Sequence, residues 1–186
     1  MVIKQRKQIR LKNFDYSDAG WYFVTVCTQN REYLFGDIIN NKMSLNQFGK
    51  IVNKFWNKIP NHFNNVELND FQIMPNHIHG IIVIQNIKQF VGAKFISPET
   101  FDNSMGDLKI APTANTSLSN IIKWFKSIST INIRKLLHNF RWQKSFYDHI
   151  VRNEYDLYRI RKYITNNPIN WDNDRNNLSD QQPNRN

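Results

Sequence analysis

The sequence predicts one α+β domain, an antiparallel sheet with helices on one face and a further helix at the C-terminal end. Three observations predict it. Two runs rich in β-branched and aromatic residues, 21–28 and 77–84, read as buried strands. Two segments, 46–58 and 118–137, carry apolar residues at helical spacing. The whole chain runs strand, helix, strand, strand, helix, strand, helix. Its 186 residues, 40 % apolar and 22 % charged, suit a single core. The domain is placed at 1–171, with a basic arm over 1–20 and an insertion at 86–116. The polar tail 172–186 is expected to be disordered.

The elements follow in order. Ser17-Asp18-Ala19-Gly20 is a turn, and Trp21 to Thr28 is the first strand. A polar loop leads to Tyr33-Leu34-Phe35. The first helix spans about Asn46 to Lys58, with Phe48, Ile51, Val52, Phe55 and Trp56 on its buried stripe; Pro60 ends it. Val66 to Met74 is a second strand broken by polar residues, Pro75-Asn76 a turn, and His77 to Ile84 a third strand. Residues 86–116 have no period and hold Gly92, Pro98, Gly106 and Pro112, as a long loop does. Ser117 caps the next helix, which buries Leu118, Ile121, Ile122, Phe125 and Ile128. Ser145 to Val151 is the fourth strand. Asn153 caps a last helix to about Asn166, acidic in its first turn and basic later, as the helix dipole favours; Pro168 stops it. Without the last helix this is the split βαβ order of a ferredoxin-like sandwich, whose uncovered sheet face is left for a ligand.

Composition narrows the function. No apolar run reaches the roughly 18 residues of a membrane helix, and the N-terminus lacks the apolar core of a secretory signal. One cysteine, Cys27, excludes an internal disulfide and a multi-cysteine zinc site. A cytoplasmic protein is expected. The net charge is +10. Lys4, Arg6, Lys7, Arg10 and Lys12 stand among the first 12 residues, none of which is acidic. Between Asp107 and Asp148 lie Lys109, Lys123, Lys126, Arg134, Lys135, Arg141 and Lys144, again with no acid. One-signed stretches with 13 % aromatic residues fit a nucleic-acid surface.

The chemistry concentrates at Met74-Pro75-Asn76-His77-Ile78-His79-Gly80. In a strand, i and i+2 share a face, so His77 and His79 form half of a divalent-metal site. Gly80 is read as letting a backbone or a ligand come close. In the last helix Leu157, Ile160 and Ile164 form the buried stripe. Tyr163 and Asn167, four apart, can face one target. Tyr163 can equally be a packing residue, and Asn166 competes with Asn167 as a ligand.

The Met-Pro-Asn-His-Ile-His strand, with a helix ending Tyr163-Ile164-Thr165-Asn166-Asn167-Pro168, resembles the HUH single-tyrosine transposases, in particular the REP-associated tyrosine transposases (RAYT). Gly20-Trp21-Tyr22-Phe23-Val24-Thr25, the Ile-Ile-x-x-Phe-Lys-Ser run of 121–127, and Trp142 to Ile150 carry the same resemblance, over about Arg6 to Trp171. The segment Gln85 to Thr116 is long for the family core. The resemblance implies a ferredoxin-like fold and a Mg²⁺ or Mn²⁺ ion on His77, His79 and Asn167. It implies Tyr163 as nucleophile on single-stranded DNA, giving a 5′-phosphotyrosine and a free 3′-hydroxyl that later rejoins the strand. The implied partner is a DNA hairpin with single-stranded flanks. A monomer or homodimer in the bacterial nucleoid would bind it through Lys4, Arg6, Lys7, Arg10, Lys123, Lys126, Arg134, Lys135, Arg141 and Lys144.

Two other readings compete. A metal-dependent hydrolase on His77 and His79 requires acidic ligands, for which Glu67 and Asp70 are the nearest in sequence. A non-catalytic hairpin-binding protein derived from a transposase would need only the basic surface. Asp148 and His149 alternate in a strand, so only one of them can face the site.

Overall fold

The computed structural model describes residues 15–86 and 116–177. Four strands form an antiparallel sheet: β1 (Gly20–Cys27), β4 (Val66–Met74), β5 (His77–Ile84) and β6 (Tyr147–Val151), in the spatial order β4-β5-β1-β6. Taken as the four strands in chain order, that is second, third, first, fourth, the ferredoxin-like arrangement the element order predicts. The two central strands are the two apolar runs; β5 is buried along its whole length.

Strand alternation divides the core into two layers. Val24, Val26, Ile78 and Ile82 face α1 (Gln47–Asn57) and α3 (Leu118–Arg134), against Val52, Phe55, Trp56, Leu118, Ile121 and Phe125. Phe23, Ile81 and Val83 face the other way, against Leu157, Ile160 and Ile164 of α4 (Glu154–Asn166). The face expected to be free is therefore covered in part by α4. His77 and His79 share that face with Ile81 and Val83, beneath the helix that carries Tyr163.

Side-chain caps set the helix starts. Asn46 accepts from the amides of Phe48 and Gly49, Ser117 from Asn120, and Asn153 from Asp156. Pro60 does not simply stop the first helix. It sits in the first turn of a short second one, α2 (Ile59–His62), where a missing N–H costs nothing.

The sequence reading missed a hairpin, β2 (Gly36–Ile39) and β3 (Lys42–Leu45). Its two-residue turn, Asn40-Asn41, has φ of 51° and 60°. Consecutive asparagines are favoured in such a left-handed turn, so the signal was present.

Gly80 faces the α1 side, not a ligand. A Cβ there would lie 2.3 Å from Cζ2 of Trp56 and 3.1 Å from Cβ of Phe71. Trp56 is fully buried and has no room to yield. Gly80→Ala is expected to destabilise the fold by about 2–3 kcal/mol. A urea midpoint equal to wild type would refute this packing.

Two clamps set α4 on the sheet. A bulge in β4 between Leu68 and Phe71 presents Asn69 and Asp70 to Arg161, whose Nε donates to each at 3.0 Å. On the other side Nε2 of His149 lies 2.8 Å from Oδ2 of Asp156. His149 thus faces α4 while Asp148 is buried on the opposite face.

The tail boundary expected at Asp172 falls inside folded chain. Trp171–Asn173 forms a 3₁₀ turn, and Asn176 is buried. Trp171 packs on Tyr33 and on His77, at ring separations of 5.6 and 6.0 Å. The arm residues Lys4, Arg6, Lys7 and Arg10, most of the 86–116 insertion and residues 178–186 lie outside the described residues.

Candidate functional site

The site is built on β5, β1, α4 and the segment after Trp171. His77 and His79 are completely buried, and their Nε2 atoms lie 2.8 Å apart. Asn76 fixes the first ring. Its amide nitrogen donates to the carbonyls of Arg31 (3.0 Å) and Asn176 (2.7 Å), so its oxygen is the atom 2.6 Å from Nδ1 of His77. An amide oxygen only accepts, so His77 carries its proton on Nδ1 and directs a lone pair from Nε2. Nδ1 of His79 is 2.8 Å from the hydroxyl of Thr25, its cross-strand partner. A hydroxyl can accept or donate. Without a cation, Nε2–H of His79 donates to His77. With Nδ1–H donating to Thr25 instead, both Nε2 lone pairs converge on one point.

Tyr163 meets them within the same chain. Its hydroxyl is 3.0 Å from Nε2 of His79 and 3.2 Å from Oδ2 of Asp174. Its ring stands edge-on to Phe23 at 6.0 Å, and Phe23 stacks on His79 at 5.5 Å. Asn167 reaches the site by way of Asp174: its amide nitrogen donates to Oδ2 at 2.7 Å, while its own oxygen is buried without a hydrogen-bond partner among the described residues. The other Asp174 oxygen accepts from the backbone of Asn176 at 2.6 Å.

Donor atoms of His77, His79 and Asp174 all lie within 4.8 Å of one another. Two neutral imidazoles and a carboxylate suit a divalent cation, and imidazole in the set suits Mn²⁺ better than Mg²⁺. Asp174, not Glu67 or Asp70, is the acid beside the histidines. Its segment is rich in asparagine and aspartate, which in sequence reads as unfolded chain.

Burial holds His77 down to about 3, helped by the nearby Arg31 and Arg175 cations. His79 is lowered by burial and then by His77. Tyr163 is raised, first by burial and then by the Asp174 carboxylate; Arg175 and the Asn167 amide oppose this. The metal-free site therefore keeps its tyrosine protonated. Between the unfolded value of about 6.5 and the folded one, the unfolded chain binds the extra proton, so stability falls as pH drops through that window. In EDTA the urea midpoint should decrease from about pH 7.5 to about pH 5.5, and less so in His77→Gln. An equal decrease in both would refute this origin.

The expected basic contacts divide. Lys123, Arg134, Lys135, Arg141 and Lys144 are exposed. Lys126 is half-buried and donates to the carbonyls of Gln143 (2.8 Å) and Ser145 (3.1 Å); burial pulls it down to about 8. It staples the chain after α3, which removes it from the set of free phosphate contacts. Arg134, Arg141 and Lys144 line one open groove of about 510 Å³ on the α3 side. Sequence reasoning missed Thr25, Asn76, Asp174 and Arg175. Asn76 stands in the Met-Pro-Asn-His run, and Thr25 opposes His79 once β1 and β5 pair, so both had a signal.

Among known proteins, an uncharacterized protein of Haemophilus influenzae is 40 % identical over 175 residues, covering 92 % of this chain and 93 % of that one. A REP-associated tyrosine transposase, solved bound to a REP hairpin, has the same fold: TM-score 0.56 and 18 % identity, over 87 % of this chain and 73 % of that one. A candidate transposase from Deinococcus radiodurans is more distant, at a TM-score of 0.41 and 14 % identity over 84 % of this chain and 95 % of that one. No family model matches the chain. No helix among the described residues is long and apolar enough to cross a membrane.

Proposed function

We propose that this chain, which belongs to one family with the Haemophilus influenzae protein and has a transposase fold, is a DNA strand transferase with Tyr163 as its nucleophile. The observation that carries this reading is the Tyr163 hydroxyl 3.0 Å from Nε2 of His79, one of the buried histidine pair, within one chain. A tyrosine that only packed would not need its hydroxyl on a buried imidazole and a carboxylate.

The residues divide the work. The Tyr163 oxygen attacks phosphorus in single-stranded DNA, the P–O3′ bond breaks, and a 5′-phosphotyrosine and a 3′-hydroxyl result; the tyrosine proton ends on the leaving oxygen. Attack of a 3′-hydroxyl reverses the step and rejoins a strand. His77, His79 and Asp174 would hold Mg²⁺ or Mn²⁺, with Asn167 orienting Asp174 through its amide and leaving its own oxygen available. When bound, the ion supplies Lewis-acid stabilisation of charge on the phosphate oxygens. Asn76 and Thr25 hold the imidazole tautomers. Phe23 packs edge-on against the tyrosine ring and holds it over His79.

The partner proposed is a hairpin with single-stranded flanks. The structural likeness supports it, as does the groove of Arg134, Arg141 and Lys144. The test is incubation with labelled hairpin libraries and Mn²⁺ or Mg²⁺, followed by denaturing gels. A metal-dependent covalent adduct is expected. Cleavage without an adduct would favour a metal-dependent hydrolase, for which Asp174 supplies the acid. Binding without either would leave a hairpin-binding protein.

A further inference from the structure

We propose that Tyr147 and Arg175 form the subsite for the nucleotide next to the attacked phosphodiester, the ring stacking on its base and the guanidinium pairing with its phosphate. This rests on the strand-transfer reading and adds to it where the DNA strand runs.

The placement comes from strand register. Tyr147 pairs with Thr25, and Thr25 pairs with His79, so the three stand in one row across β6, β1 and β5 on the α4 face. Two strand spacings separate Tyr147 from His79, about 10 Å between backbones. Tyr147 is 39 % exposed although it lies inside a sheet face. Its ring meets Phe23 edge-on at 6.3 Å, and Phe23 in turn meets Tyr163. A continuous aromatic floor therefore leads from open solvent to the nucleophile.

The Arg175 guanidinium lies 5.2 Å above the Tyr147 ring. It is exposed, and no carboxylate pairs with it among the described residues. Its backbone is fixed, because its carbonyl accepts from Nη1 of Arg31 at 2.9 Å and its neighbours Asp174 and Asn176 are tied to Asn167 and Asn76. An exposed ring beside a cation, one phenyl ring away from the nucleophile, is the chemistry that grips single strands: a π-face accepts any base, and a guanidinium pairs with a phosphate. A purely structural arginine would turn its donors to protein carbonyls or carboxylates instead.

The test needs no catalysis. In a Tyr163→Phe background, short oligothymidylates carrying one 2-aminopurine, moved along the strand, are bound in the presence of Mn²⁺. Quenching of 2-aminopurine is expected at a position next to the bound phosphate and should be lost in Tyr147→Ala. Arg175→Ala should weaken binding about tenfold and make log K against log salt shallower by about 0.7, the loss of one single-strand phosphate contact. Arg175→Lys should restore the salt slope. Thermal melting of each variant separates these effects from unfolding. Quenching that survives Tyr147→Ala, or an unchanged salt slope in a folded Arg175→Ala, would overturn the subsite. Absence of any covalent adduct from the wild type would instead overturn the strand-transfer reading, and the binding data would stand apart from it.

Discussion

Tyr163→Phe is expected to lower covalent adduct formation by about a thousandfold or more while leaving the fold intact. The substitution removes one oxygen. The ring keeps its place against Phe23 and His79, at separations of 6.0 and 5.0 Å. Both hydroxyl partners retain others: Asp174 holds Asn167 and the Asn176 amide, and His79 holds Thr25 and His77. The stability change should therefore be about 1 kcal/mol, the net value of a hydrogen bond. Intact-mass spectrometry of the wild-type adduct, followed by peptide mapping, reads the attached residue directly. An undiminished adduct in Tyr163→Phe would sink the assignment. Tyr155 and Tyr158 would come next, although at 71 % and 62 % exposure they project into solvent away from the histidines.

Most of the site lay within reach of local rules, and what did not depends on chain closure. Period two placed His77 and His79 on one face, and helical spacing placed Tyr163 beside the buried stripe of Leu157, Ile160 and Ile164. The caps Ser117 and Asn153 have simple local rules. Asp174 was hidden for a physical reason. The segment after Trp171 has little apolar content, so composition reads it as unfolded. It is held instead by polar contacts to distant chain, such as Asn76 to Asn176 across 100 residues, and by one indole on Tyr33 and His77. Gly80 shows the converse. Its strand position was legible, but its neighbour was not, because the choice between a ligand and the Trp56 ring depends on which face α1 covers. Lys126 belongs with it: charge alone could not distinguish a phosphate contact from an ammonium committed to two carbonyls.

Manganese is expected to raise the melting temperature of the wild type and to leave His77→Ala and His79→Ala unchanged. An ion that binds only the folded state at a hundred times its dissociation constant adds about 2.7 kcal/mol. For a chain of this size that corresponds to roughly 5–10 °C. The increment within each variant is the quantity to compare, since removing either imidazole also disturbs a buried hydrogen-bonded pair and lowers the metal-free melting point by itself. Asp174→Asn keeps the shape and the contact with Asn167 but removes the only negative charge of the donor set, so its increment should shrink. Asn76→Ala leaves all three donor residues in place and frees the His77 tautomer; losing the group that orients a ligating imidazole costs about 10–100-fold in affinity. A gradation with both histidine variants lowest and Asp174→Asn and Asn76→Ala between them and wild type is what this site demands. An equal increment in His79→Ala and wild type would place the bound manganese elsewhere, and the buried imidazole pair would then be a packing feature beneath Tyr163.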